Sequence, residues 1–302
     1  MYDTTIIGAG ISGLTAAIYA SRKRMNYKIL SSIFGGQFMV SGEVLNYPGI
    51  VKTTGVGFSS ILEKQAKFNN VNVSLETVKN IKKKASNFLV ITNKEQYETK
   101  TVIIATGSNA RKLNIPGEQK FANKGVTYCA ICDGPLFSDK EVAVIGGGDA
   151  ALEAVDFMKD IASKIYLILR DSEFKAHEYL QERVKKNPKV EIILNTETKE
   201  ILGNKFVTGI KYSQTGKEKQ LNVKGIIIEI GRVPSTEPFK NIVKLDEHKH
   251  IQIDCQGHTT TPGIFAAGDC ASGHEYQYII AAGQGCMALI KAARYLASKK
   301  GD

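Results

Sequence analysis

The chain predicts an α/β fold with two Rossmann-like, three-layer dinucleotide-binding units, and three observations carry that expectation. An apolar strand, a glycine turn and a helix-spaced apolar run follow one another at Thr4–Ile7, Gly8-Ala9-Gly10-Ile11-Ser12-Gly13 and Leu14–Ala20. The same passage recurs at Glu141–Ile145, Gly146-Gly147-Gly148-Asp149-Ala150-Ala151 and Leu152–Met158. The 302 residues, 43% of them hydrophobic, suffice for two domains with sizeable cores.

In each turn the small residues have separate jobs. Gly8 and Gly146 permit the tight turn, Gly10 and Gly148 let the backbone approach a pyrophosphate, and Gly13 and Ala151 allow helix to pack closely on strand. The helix N-terminus then offers free N–H groups to the phosphates. A lone glycine pattern is weak; the strand-turn-helix context and its duplication strengthen both copies. The acid usual after the next strand is missing from the first copy. Lys28-Ile29-Leu30 ends in Ser31-Ser32, which leaves ribose recognition to a hydroxyl, a backbone group or water.

Phe34-Gly35-Gly36-Gln37 and Val44–Gly49 read as irregular turns. A helix is expected from about Gly57 to Phe68, then β segments around Val71–Val73 and Asn87–Ile91 and a buried strand at Thr101–Ile104 running into Ala105-Thr106-Gly107. Pro116-Gly117 marks a boundary. Beyond the second glycine turn come strands at Lys164–Leu169, ending in Arg170-Asp171, and Val190–Leu194, then a β meander to Gly231. A hairpin around Gln256-Gly257 precedes a short strand that ends in Gly268-Asp269, at the carboxyl edge where doubly wound sheets bind ligands. Ala281–Ala297 is the closing helix.

Tyr128-Cys129-Ala130-Ile131-Cys132-Asp133-Gly134 carries the chemistry. Two cysteines at this spacing close an easily exchanged disulfide, and the adjoining carboxylate can move the protons that thiol chemistry consumes. The same spacing suits half a zinc site. Cys255, Cys270 and Cys286 are singletons, with no second pair or histidine pair to complete a tetrahedron, so redox use is favoured and no metal is expected. No apolar run reaches the roughly 20 residues that span a bilayer, and the first residues leave no room for a signal peptide, so a cytoplasmic protein is expected. The net charge of +10 is spread in short groups such as Lys82-Lys83-Lys84, without the aromatic-interleaved stripe of a nucleic-acid module.

Taken in order and spacing, these motifs resemble the low-molecular-weight thioredoxin reductase family over nearly the whole chain, with Gly35-Gly36-Gln37, Asn46-Tyr47-Pro48-Gly49 and Gly283-Gln284-Gly285-Cys286-Met287-Ala288 completing the match. The resemblance implies an FAD domain made of residues 1–113 and 237–302, with an NAD(P)H-type domain, residues 114–236, inserted into it and carrying the cysteines. It implies that Cys132 lies nearest the flavin, that Cys129 attacks the partner disulfide and that Asp133 is the acid/base. FAD would meet Gly8, Gly10, Ser12, Gly13 and Ser31 at one end, and Gly36, Gln37, Asn46, Ala105, Thr106 and Gly107 along the crevice. Gly268, Asp269, Tyr276, Gln277 and Tyr278 would complete its site. Gly146, Gly148, Asp149, Ala151 and Arg170 would form the second nucleotide site. A homodimer and a thioredoxin or thioredoxin-like partner are implied as well.

The chain departs from that family where NADPH-using members carry His-Arg-Arg and a further Arg four residues on. Here Ile168-Leu169-Arg170-Asp171-Ser172-Glu173-Phe174-Lys175 keeps one arginine in register. Charge-assisted hydrogen bonds contribute ~1.5–3 kcal/mol each, so two lost arginines correspond to roughly 10²- to 10⁴-fold in NADPH affinity. NADPH is therefore expected to be a poor donor, with NADH, reduced ferredoxin or a deazaflavin as alternatives. At Glu275-Tyr276-Gln277-Tyr278 the family has Arg-Gln-Ala; the two tyrosines either stack near the flavin or pack at the helix entrance. Two further readings stand beside the reductase: a relative serving a peroxidase system, whose usual N-terminal domain has no match here, and a flavin-binding redox sensor without turnover.

Overall fold

The computed structural model describes residues 1–40, 43, 44, 46–273 and 276–299; the side chains of Val40, Glu43 and Cys132 lie outside the described set, as does Glu275. The chain forms two compact units. One consists of Met1–Asn109 and Val233–Asp302, the other of Ala110–Arg232. The chain thus crosses between units at 109/110 and 232/233, where the sequence reading set 113/114 and 236/237, and Pro116-Gly117 falls inside the second unit.

In the first unit, parallel strands lie in the order Val73–Leu75, Tyr27–Phe34, Tyr2–Ala9, Gln96–Ile104. The long strand Gln96–Ile104 is shared along its outer side: its first half pairs antiparallel with Asn87–Thr92, its last residues parallel with Ile264–Ala266. Both faces of this sheet are covered, and adjacent buried residues point to opposite sides. Ile6, Ile29, Ile103 and Phe265 face helices Ile11–Arg22 and Tyr278–Ser298, while Ile7, Leu30, Val102 and Ile104 join Phe88, Phe239 and Ile251 beneath. That double coverage explains why the strands read as continuous apolar runs rather than alternating ones. The edge strand Val78–Lys84 exposes Lys79, Lys82, Lys83 and Lys84, charges that discourage pairing with another chain.

The second unit repeats the plan. Its parallel strands run Val190–Ile193, Lys164–Ile168, Glu141–Ile145, Gly225–Ile228, Val126–Thr127. Val144 and Leu167 face helices Asp149–Met158 and Glu178–Lys185, and Ala143, Ile145 and Ile168 face the antiparallel sheet of Thr196–Gly203, Val207–Gln214 and Lys217–Leu221. Several elements differ from the sequence reading. Gly36–Val40 forms a 3₁₀ turn where irregular chain was expected, and the closing helix starts three residues early, at Tyr278. The helix Glu178–Lys185 was not anticipated; it buries only Leu180 and Val184, too few apolar positions to show a period.

Candidate active site

The strand order of the first unit reverses between Tyr2–Ala9 and Gln96–Ile104, and the glycine turn lies at that point, where open α/β sheets bind ligands. Gly8 adopts φ +113°, and a Cβ there would stand 2.1 Å from the Ala105 carbonyl oxygen, so only glycine fits. Gly10, by contrast, faces open space, with Gly36 packed against it. Ser12 is buried, and its Oγ has no hydrogen-bond partner among the described residues. Ser31 donates instead to its neighbour, the Ile33 carbonyl, at 2.6 Å, and Thr106 to the Ser235 carbonyl at 2.8 Å.

Gln37 Nε2 donates to the Ser108 carbonyl at 2.8 Å, and Ser108 Oγ to Asp269 Oδ2 at 3.2 Å. The Gly268 N–H is taken by Gln284 Oε1 at 2.7 Å, which fastens the loop of Asp269 to the closing helix. At that helix's N-terminus Gln277 Oε1 accepts from Asn46 Nδ2 at 3.3 Å. The flanking tyrosines part company. Tyr278, partly buried, packs its ring 4.4 Å from core Phe38, and the Tyr276 hydroxyl lies 2.7 Å from His250 Nε2.

The second turn copies the first. Gly146 has φ +144°, and a Cβ there would lie 2.1 Å from the Glu229 carbonyl oxygen; Gly148 is open. Asp149 accepts from the His177 N–H and from its ring Nδ1, both at 2.8 Å, and the backbone bond leads in holding its carboxyl below the usual range. Beyond the next strand, Asp171 holds Lys175 Nζ at 2.8 Å and Arg170 Nε at 3.3 Å, which lower its carboxyl in that order. Leu169 is buried against Gly147, and Phe174 packs on the same core. The places where further arginines would be needed are therefore occupied by core side chains.

Cys129 is buried and disulfide-bonded, whereas Cys255, Cys270 and Cys286 are free. It immediately precedes the one-turn helix Ala130–Asp133, which carries Cys132 on its backbone. Thr127 organises this turn: its Oγ1 donates to Asp133 Oδ2 at 2.5 Å and accepts the Cys129 N–H at 3.1 Å. On the other side Tyr128 donates to Glu118 Oε1 at 2.6 Å, and burial first, then this bond, push the phenol's pKa up. Buried Glu118 is anchored in turn by the N–H groups of Leu113 and Asn114. Among the described residues no group of acids, histidines and cysteines could hold a metal ion.

The sequence pattern of the pyridine nucleotide-disulphide oxidoreductases matches residues 2–294. The chain belongs to that family. It is 39% identical over 298 residues to an NADH dehydrogenase of Bacillus subtilis (strain 168), and 40% identical over 299 to a subunit of the alkyl hydroperoxide reductase of Staphylococcus aureus (strain MSSA476). Each match covers 98% of this chain but only 58% and 59% of those relatives, so the chain spans about three fifths of their length. The thioredoxin reductase of Lactococcus lactis superposes with a TM-score of 0.92 at 33% identity, covering 99% of this chain and 100% of that one.

Within the first unit of this oxidoreductase Gly8–Gly13, Gly36-Gln37, Ala105–Gly107 and Gly268-Asp269 adjoin one another around the switch point of the sheet. Ser31 and Thr106 donate their hydroxyls to carbonyls, and Tyr278 is a partly buried residue packed against the core. Thr127, Glu118 and His250 were not anticipated. The adjacency of Thr127 to the cysteine motif was a usable signal, while Glu118 and His250 meet their partners only through the fold.

Proposed function

We propose that the chain is an FAD-dependent disulfide reductase, passing electrons through the flavin to a Cys129–Cys132 disulfide and on to thioredoxin or a thioredoxin-like protein. The observation that supports this most is the disulfide-bonded state of Cys129 beside an acid, Asp133, gripped by the same hydroxyl that holds the cysteine's N–H. The first glycine turn fits FAD: Gly10 leaves room for a pyrophosphate, and the buried Ser12 Oγ lacks a partner. Asp269 and Gln37 would line the crevice, with Asn46 and Gln277 toward the ring.

Bound FAD supplies a two-electron reductant once a donor has reduced it. The disulfide takes up the two electrons, its S–S bond breaks, and with two protons it becomes two thiols. Cys129 then gives its proton to Asp133 and attacks one partner sulfur as the thiolate, forming a mixed disulfide, while the other partner sulfur leaves with that proton from Asp133. Attack by Cys132 on the Cys129 sulfur restores the internal disulfide and releases the second partner thiol. Supplied with FAD, the protein should bind about one per chain and reduce thioredoxin, and Cys129→Ser or Cys132→Ser should abolish turnover while flavin reduction persists. Folded protein that takes up no FAD, or serine variants that still turn over, would remove this reading.

NADPH is the disfavoured donor. Asp171 stands just beyond the strand that follows the second glycine turn, where an acid hydrogen-bonds the 2′-hydroxyl of NADH and repels a 2′-phosphate. Its ion pairs already engage Arg170 and Lys175, the cations nearest that place in the sequence. NADH is accordingly the first donor to test, with reduced ferredoxin beside it.

A further inference from the structure

We propose that Thr127 is a positioning residue for disulfide exchange, its hydroxyl fixing the acid Asp133 to the backbone of Cys129 throughout turnover. The inference rests on the reductase reading and adds to it a residue whose removal should separate proton handling from binding. Thr127 is 4% exposed and ends the strand Val126–Thr127, paired in register with Ile227, so its backbone is held by the sheet rather than by the cysteine turn. Ala130 seats the turn on the core, but a helix of four residues is shorter than a stable nucleus and supplies little rigidity of its own.

The geometry shows what replaces that missing rigidity. A hydroxyl has one proton to give, and the 2.5 Å contact to Asp133 Oδ2 takes it in preference to the 3.3 Å contact to the Cys129 carbonyl. Its lone pair receives the Cys129 N–H, and the Asp133 N–H returns to the Cys129 carbonyl at 3.3 Å. Residues 127, 129 and 133 thus form a closed loop of hydrogen bonds through one side chain, and none of these bonds involves a sulfur. The loop survives when the disulfide becomes a dithiol, so the carboxyl group that protonates the leaving partner sulfur stays in place in both states.

A purely structural threonine would be valued for its shape, and the two conservative replacements separate shape from hydroxyl. Thr127→Val keeps the branched Cβ that suits a strand and loses the hydroxyl; Thr127→Ser keeps the hydroxyl and loses a methyl. The FAD-loaded protein and both variants are assayed with NADH and with thioredoxin as the disulfide substrate. In the valine variant kcat should fall about 10- to 100-fold, with KM for thioredoxin within about twofold and flavin reduction by the donor unchanged. The serine variant should stay within about threefold of the parent. Parental kcat in the valine variant, or an equal loss in the serine variant, overturns the proposal. If the valine variant does not fold, Thr127→Ala takes its place, and failure of both to fold marks Thr127 as structural and overturns it as well. No thioredoxin turnover by the unmodified protein, with NADH or with reduced ferredoxin as donor, would instead sink the reductase reading on which the proposal stands.

Discussion

In the proposed reading Asp171 bears more on the electron donor than the arginines that the sequence lacks. Two cations flank it, and in its absence both Arg170 and Lys175 would be free to meet a 2′-phosphate. Asp171→Asn should therefore move the ratio of NADPH to NADH use toward NADPH by about tenfold or more, since ~1.4 kcal/mol suffices for that change. Steady-state kinetics with both nucleotides checks it; an unchanged ratio means that Asp171 does not face the ribose. Restoring arginine at Leu169 or Phe174 is the poorer experiment, because it would push a guanidinium into packed core. Residues with chemistry of their own, such as Cys129, Cys132 and Asp133, were legible at once. Those that act by holding others were not: neither Thr127 nor Glu118 carries a motif of its own, and the fold joins them to the cysteine turn.

The strand Gly225–Ile228 is followed by Glu229, whose carbonyl oxygen backs the second glycine turn and whose carboxyl is pushed up to about 7, burial first, with Glu153 adding to it against Arg232. A rise of that size corresponds to about 3 kcal/mol against the charged form. The folded state then binds more protons than the unfolded one between pH ~4.5 and ~7, so this stability is present at low pH and lost as pH rises through the folded value. Glu229→Gln should raise Tm at pH 8 and change it little at pH 4.5; thermal melts showing the same shift at both pH values would contradict it. Elements were legible where apolar runs were long, as in the strands at Tyr2–Ala9 and Gln96–Ile104. Glu178–Lys185 buries only two side chains and so shows no apolar period, and the closing helix buries none of Tyr278, Ile279 and Ile280 fully, which leaves its first turn unmarked in the sequence.

At the scale of the whole molecule the duplication goes deeper than two glycine motifs. Each unit has the same central strand order and its own antiparallel layer, although the outermost parallel strand comes from the chain end in one unit and from just before the cysteines in the other. That crossing of segments was beyond any local pattern and followed only from the family resemblance. No helix among the described residues is long and apolar enough to cross a membrane, and part of the basic charge is spent on a lysine-studded sheet edge. The central claim, that electrons pass from flavin to the Cys129 disulfide, is tested most directly by anaerobic reductive titration of the FAD-loaded chain. Two two-electron centres should take up about four electrons per chain, against about two in Cys129→Ser. Uptake of about two electrons by both proteins would contradict it.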